Sequence, residues 1–165
     1  MKPSDDAGDR PFARSVEEVR ALVGREAFVT DWVPITQQQI DQFAQATGDF
    51  QWIHVDAVRA AKESPYGRTI AHGFLSLSLL GGFYGRHVSL PFCEMGLNYG
   101  LNKVRFTSPV PVDSRVRGRF VLAKLEELDG FLQLTLQATL EIEGQERPAL
   151  VAESVIRQYF QPPGA

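Results

Sequence analysis

The sequence predicts a single α+β domain in which an antiparallel β-sheet wraps one long apolar helix. Three observations carry this. Capping and turn signals punctuate the first half at helical spacing, and the stretch GFLSLSLLGGFYG, Gly73 to Gly85, is apolar nearly all round. In FLQLTLQATLE the positions Leu132, Leu134, Leu136, Ala138 and Leu140 alternate with Gln133, Thr135, Gln137, Thr139 and Glu141, the period of a half-buried strand. A helix apolar on every side has to be enclosed, and a curved sheet built from the second half is available to enclose it.

Along the chain, MKPSDDAGDRPFAR is polar, mixed in charge and broken by Pro3, Gly8 and Pro11. It reads as a flexible tail over residues 1–14, without the apolar run of a secretory signal, and the domain occupies 15–165. Thr36 and Gln39 have capping-box spacing, and Ile35 and Ile40 stand where a hydrophobic staple would close over the cap. A helix should therefore start at Gln37 with Ile40, Phe43 and Ala44 facing inward, and Gly48 should end it in a left-handed conformation, leaving Asp49 in a loop. Asp56 is placed to cap a short helix through Ala61, and Ser64 to Gly67 form a turn. The long helix opens after IAHG and stops at Arg86 and His87, well short of the roughly 20 residues that cross a bilayer. His87 is expected on the surface, favoured by the helix dipole. Strands follow at Leu97 to Phe106, Arg115 to Leu125, the alternating run, and Leu150 to Phe160, with turns at Asp129-Gly130 and Gly144 to Pro148, as a four-strand meander.

Composition excludes several functions. With 44% hydrophobic and 22% charged residues the chain is ordinary globular protein, and its 17 basic and 20 acidic residues are scattered, which argues against a nucleic-acid partner. The one cysteine, Cys93, has no second thiol for a disulfide, so a reducing, cytoplasmic setting is expected, with no membrane partner. No P-loop, dinucleotide fingerprint or G-x-S-x-G elbow is present, and no cofactor is expected. Asp49, His54, Asp56 and His72 offer four possible metal ligands, but His-x-x-x-His or Cys-x-x-Cys spacing is missing, and no metal is expected.

The segments TGD, IHVD and IAHG, the last opening a hydrophobic helix, together with the strands that follow, resemble the MaoC-like dehydratases, the R-specific enoyl-CoA hydratases of hot-dog fold. The resemblance runs from about Thr36 to Phe160. Gln51-Trp52, where many members have Asn-Pro, is similar to the branch containing nodulation protein N and mycobacterial 3-hydroxyacyl-thioester dehydratases. It implies that Asp49 and His54 are the catalytic pair that holds water for addition to C3 of a trans-2-enoyl thioester and passes a proton to C2. It further implies that the Gly73 backbone N–H polarises the thioester carbonyl and that Ser78 bonds the catalytic aspartate. Phe50, Trp52, His72 and Phe74 flank these groups and are expected to contact substrate.

The chemistry fits those residue types. Hydration of a conjugated thioester needs a base for water, an acid for the α-carbon and a donor for the developing enolate oxygen. Histidine titrates near neutrality, and Phe50 and Trp52 are expected to shield Asp49 from water. Gly73, opening a helix, offers a free N–H at the positive end of the dipole and no Cβ to keep a carbonyl away. Each residue also has a structural reading: Asp49 as a turn cap, Asp56 as an N-cap, His72 as a loop anchor, Ser76 and Ser78 as small residues on a packed helix. A hot-dog acyl-CoA thioesterase, told apart by free CoA release, and a non-catalytic acyl-thioester binding protein, told apart by binding without turnover, are the alternatives. The expected partners are acyl-CoA or an acyl-carrier-protein thioester and a second copy of the chain, since one sheet leaves an edge to cover. Arg68, Arg86, Lys103 and Arg105 are candidates to meet CoA phosphates.

Overall fold

Local caps set the helical half. The computed structural model describes residues 12–161, so residues 1–11 of the expected tail lie outside the described residues. Phe12 and Ala13 do not belong to a tail: the Phe12 N–H donates to the Ser89 carbonyl at 2.8 Å and Ala13 is buried. Helix α1 (Val16–Ala21), unanticipated, starts where the Ser15 hydroxyl accepts from the Glu18 N–H. Strands β1 (Glu26–Val29) and β2 (Val33–Pro34), also unanticipated, precede α2 (Gln37–Thr47). That helix carries the complete Thr36/Gln39 capping box, worth about 1 kcal/mol, and ends at Gly48 with φ 77°. A single turn, α3 (Trp52–Val55), leads to α4 (Ala57–Glu63), which the Asp56 carboxylate caps through the Arg59 N–H.

Helix α5 (Gly73–His87) is the apolar helix, followed by β3 (Met95–Phe106), β4 (Arg115–Leu128), β5 (Phe131–Ile142) and β6 (Leu150–Tyr159). All pairings are antiparallel, in the order β1-β4-β5-β6-β3, with β2 also on β4. The two-residue Asp129-Gly130 turn makes β4 and β5 neighbours, and Gly144–Pro148 does the same for β5 and β6. The meander ends there, because β3 pairs with β6 and lies across the sheet from β4. Residues 107–114, with Pro109 and Pro111, form a link too long and too proline-rich for a hairpin, and it carries the chain between opposite sides of the sheet.

The concave face supplies Phe120, Leu122, Leu134, Leu136 and Leu140, all fully buried, against Leu80, Phe83 and Tyr84 of α5. Each such side chain contributes about 1.5–3 kcal/mol of burial. The chain's own sheet does not enclose α5 completely: Phe74 is 67% exposed and Ser78 is exposed on the same helix. Strand β3, an edge of the sheet, presents Leu97, Tyr99 and Leu101 to solvent. His87 is half-buried, its ring stacked on Phe28 at 5.0 Å, because the last turn of α5 lies over β1. Among the described residues no helix is long and apolar enough to cross a membrane.

Candidate active site

Three connections bring the polar motifs together. Gln37, first residue of α2, donates to the His54 carbonyl at 2.8 Å and accepts from the Thr69 hydroxyl at 2.6 Å, tying α3 to the segment before α5. That segment pairs with α3 directly, the Ile70 N–H donating to the Ile53 carbonyl at 3.0 Å. The His54 ring is buried, with Nδ1 2.7 Å from the Ile70 carbonyl. A carbonyl only accepts, so Nδ1 carries the proton and Nε2 is left as a free base. Burial holds His54 below the ordinary imidazole range, against the Ile70 hydrogen bond, and neighbouring His72 lowers it further while Asp49 opposes.

His72, buried at 2% exposure, directs Nε2 at the Asp49 carbonyl, 2.9 Å away. By the same reasoning Nε2 is the protonated nitrogen, and Nδ1 is enclosed without a partner. Its ring stacks on His54 with centroids 3.8 Å apart and leans on Phe43 at 5.0 Å. His72 is thus an anchor of the loop that carries Asp49. One Asp49 carboxylate oxygen takes a long hydrogen bond, 3.4 Å, from the Gln51 N–H, and the rest of the carboxylate is open. Ligating atoms of Asp49, His54 and His72 lie within 4.8 Å of one another, so those three could offer a cation a site. Asp56 is not in that group and caps α4.

His54, Gly73 and the buried Ser76 share the wall of an open cavity of about 310 Å³ with Tyr66, Phe106 and Val110. A Cβ on Gly73 would meet the Phe106 ring at 3.2 Å, so glycine leaves the ring room as well as the N–H free. Tyr66, Ser76 and Phe106 carry no signal of a site in the sequence, since they come together only where the turn after α4, α5 and the end of β3 meet.

Two expectations are corrected. Ser78 donates its hydroxyl to the Phe74 carbonyl at 2.7 Å, the back-bond of a serine inside a helix, and no hydrogen bond to Asp49 is found among the described residues. Phe50 and Trp52 do not shield Asp49: Phe50 is 59% exposed, Asp49 is exposed, and the Trp52 ring turns to α4, where the Arg59 guanidinium lies 4.3 Å from its centre. Phe74 points outward and meets Phe106 edge-on at 5.8 Å. Of the basic candidates, Arg105 bonds the Val104 carbonyl and Arg86 stands over the Phe83 ring.

The chain is 49% identical over 144 residues to 3-hydroxyacyl-thioester dehydratase Z of Mycobacterium tuberculosis, covering 87% of this chain and 95% of that protein. It is 47% identical over 150 residues to nodulation protein N of Rhizobium leguminosarum bv. viciae, covering 90% and 93%. Among solved structures, the (R)-hydratase from A. caviae involved in PHA biosynthesis superposes with a TM-score of 0.65 at 25% identity, over 81% of this chain and 94% of that one. These neighbours share the hot-dog arrangement of one antiparallel sheet around a central helix. Residues 19–143 match the MaoC like domain, and the chain belongs to that family.

Proposed function

We propose that the protein is an R-specific hydro-lyase that reversibly adds water to a trans-2-enoyl thioester, carried by CoA or by an acyl carrier protein. The observation that supports it most is the pairing of the open Asp49 carboxylate with a neutral His54 whose Nε2 is free, beside a cavity walled by the first residue of a long helix. Water held between Asp49 and Nε2 gives a proton to His54 as its oxygen bonds to C3. The electron pair of the C2–C3 double bond moves to the thioester oxygen, which the Gly73 N–H receives at the positive end of α5. A proton from the pair then closes C2, and the reverse sequence expels water. His72 acts by holding the Asp49 backbone.

Strand β3 supports a homodimer, since an edge strand showing Leu97, Tyr99 and Leu101 is a surface that a second copy would cover. The test is loss of conjugated-thioester absorbance from crotonyl-CoA, coupled to an R-specific 3-hydroxyacyl-CoA dehydrogenase, for the wild type, Asp49→Asn and His54→Ala. R-product that disappears in both variants supports the reading. Free CoA without hydroxyacyl product would replace it with a thioesterase, and binding without turnover with a carrier role.

A further inference from the structure

Farther along α5 than the catalytic cavity, two cavities that share Gly81, Tyr84 and Asn98 form a groove beside the helix. The helix and β3 run in opposite directions, so the cavity at Gly73 meets the Phe106 end of β3 and later turns of α5 meet its beginning. The next cavity, about 380 Å³, is walled by Ser78, Gly81 and Tyr84 of α5, Asn98 and Leu101 of β3, and Ser154 of β6. Gln158 borders a further cavity of about 280 Å³ beyond it. A wall for a plain alkyl tail would be apolar, yet Tyr84 is 6% exposed, Ser154 4% and Gln158 9%. The Tyr84 hydroxyl is enclosed without a hydrogen-bond partner. Burial pushes it up to about 12, so it stays an O–H donor, and nearby Ser154 offsets part of that rise without joining it by a hydrogen bond of normal geometry. The absence of a side chain at Gly81 makes room for the Asn98 amide, which a Cβ there would meet at 3.2 Å.

We propose that the groove selects acyl thioesters whose chain carries an oxygen function, a hydroxyl or carbonyl, where it passes Tyr84, in preference to plain alkyl chains. This rests on the hydratase reading for its starting point, the thioester carbonyl at Gly73. A helical side chain leans back about one turn, so the Tyr84 hydroxyl lies roughly beside Gly81, about 12 Å along the axis from Gly73. With carbon–carbon bonds of about 1.5 Å in zigzag, that reach corresponds to about nine carbons. An enclosed donor facing an alkyl chain stays unsatisfied, whereas an oxygen at that depth accepts from it.

The test is calorimetric titration of the full-length protein with decanoyl-CoA and with 9-hydroxydecanoyl-CoA, beside crotonyl-CoA turnover by the wild type. The hydroxylated ligand is expected to bind about fivefold tighter or better, and the ratio to approach one in Tyr84→Phe and, separately, in Ser154→Ala, with melting curves verifying that each folds. A wild-type ratio of one or less, or a preference that survives both substitutions, overturns the proposal. Crotonyl-CoA turnover without the preference removes the groove inference alone. A preference without turnover removes the hydratase reading and leaves a polar acyl site.

Discussion

Replacing Gly73 with alanine separates catalysis from stability. The new Cβ would sit 3.2 Å from three carbons of the Phe106 ring, against ordinary contacts of 3.4–4 Å, so the ring must give by a few tenths of an ångström. Phe106 is 47% exposed and has room to do so. Alanine also favours the helix over glycine by up to about 1 kcal/mol, which offsets the crowding. Net stability should therefore change by no more than about 1 kcal/mol, a melting shift of a few degrees in a chain of this size. The methyl nevertheless enters the cavity beside the N–H to which the proposed mechanism assigns the enolate oxygen. Alanine keeps the N–H, but a methyl that holds the oxygen away from it forfeits the hydrogen bond; loss of one such donor costs about 2.7–4 kcal/mol in the transition state, so kcat/KM for crotonyl-CoA should fall about 10²- to 10³-fold. Enoyl-CoA hydration and differential scanning fluorimetry on the same preparation check both halves. Activity within threefold of wild type would refute the donor role, and a collapse of the melt would show that the glycine is there for packing.

Other outcomes follow from the same geometry. Asp49→Asn and His54→Ala should each lower kcat about 10²- to 10⁴-fold, with the double variant little worse than the poorer single one, in steady-state assays. Because burial holds His54 below its ordinary value near 6.5, the rate should be flat through neutrality and fall only on the acid side. The unfolded chain takes up that proton first, so stability falls as pH drops from about 6.5 toward the folded value; His87, likewise lowered by burial, adds to the slope, and comparing wild type with His54→Gln in pH-dependent melts isolates the His54 share. His72→Phe keeps the stack but removes the donor to the Asp49 carbonyl, so it should lose about tenfold or more in kcat, with partial recovery in His72→Gln, whose amide can donate. Leu101→Glu, placing a charge on the exposed edge strand, should halve the mass seen by light scattering if a second copy covers β3.

What the sequence made legible was local. The Thr36 cap, the Gly48 terminus, the Asp56 cap and the alternation of β5 depend on neighbours a few residues away, and each stands where its pattern put it. The pairing of β3 with β6 was not legible, because it follows from how a long link crosses the sheet. Gln37 reads as an ordinary first-turn residue, and only the approach of α3 and Thr69 reveals it as the tie beneath His54. Ser78 came from resemblance, and its back-bond to Phe74 is a property of the helix it sits in. The facing of His54 and His72 joins two motifs whose order was plain and whose contact was not.

Strand β3 belongs to two surfaces at once. Its residues Asn98 and Leu101 form a wall of the polar groove, and its outer edge is the open margin of the sheet. A second copy laid along that margin would stand beside the space where, in the proposed reading, an acyl tail runs. If a second copy covers β3, assembly and substrate range are not separate traits: a substitution that tightens association would reshape the proposed channel, and one selected for a new tail would put the association at risk. Dilution would then act on such a protein like a competitor, weakening the groove by removing the neighbour that steadies its β3 wall.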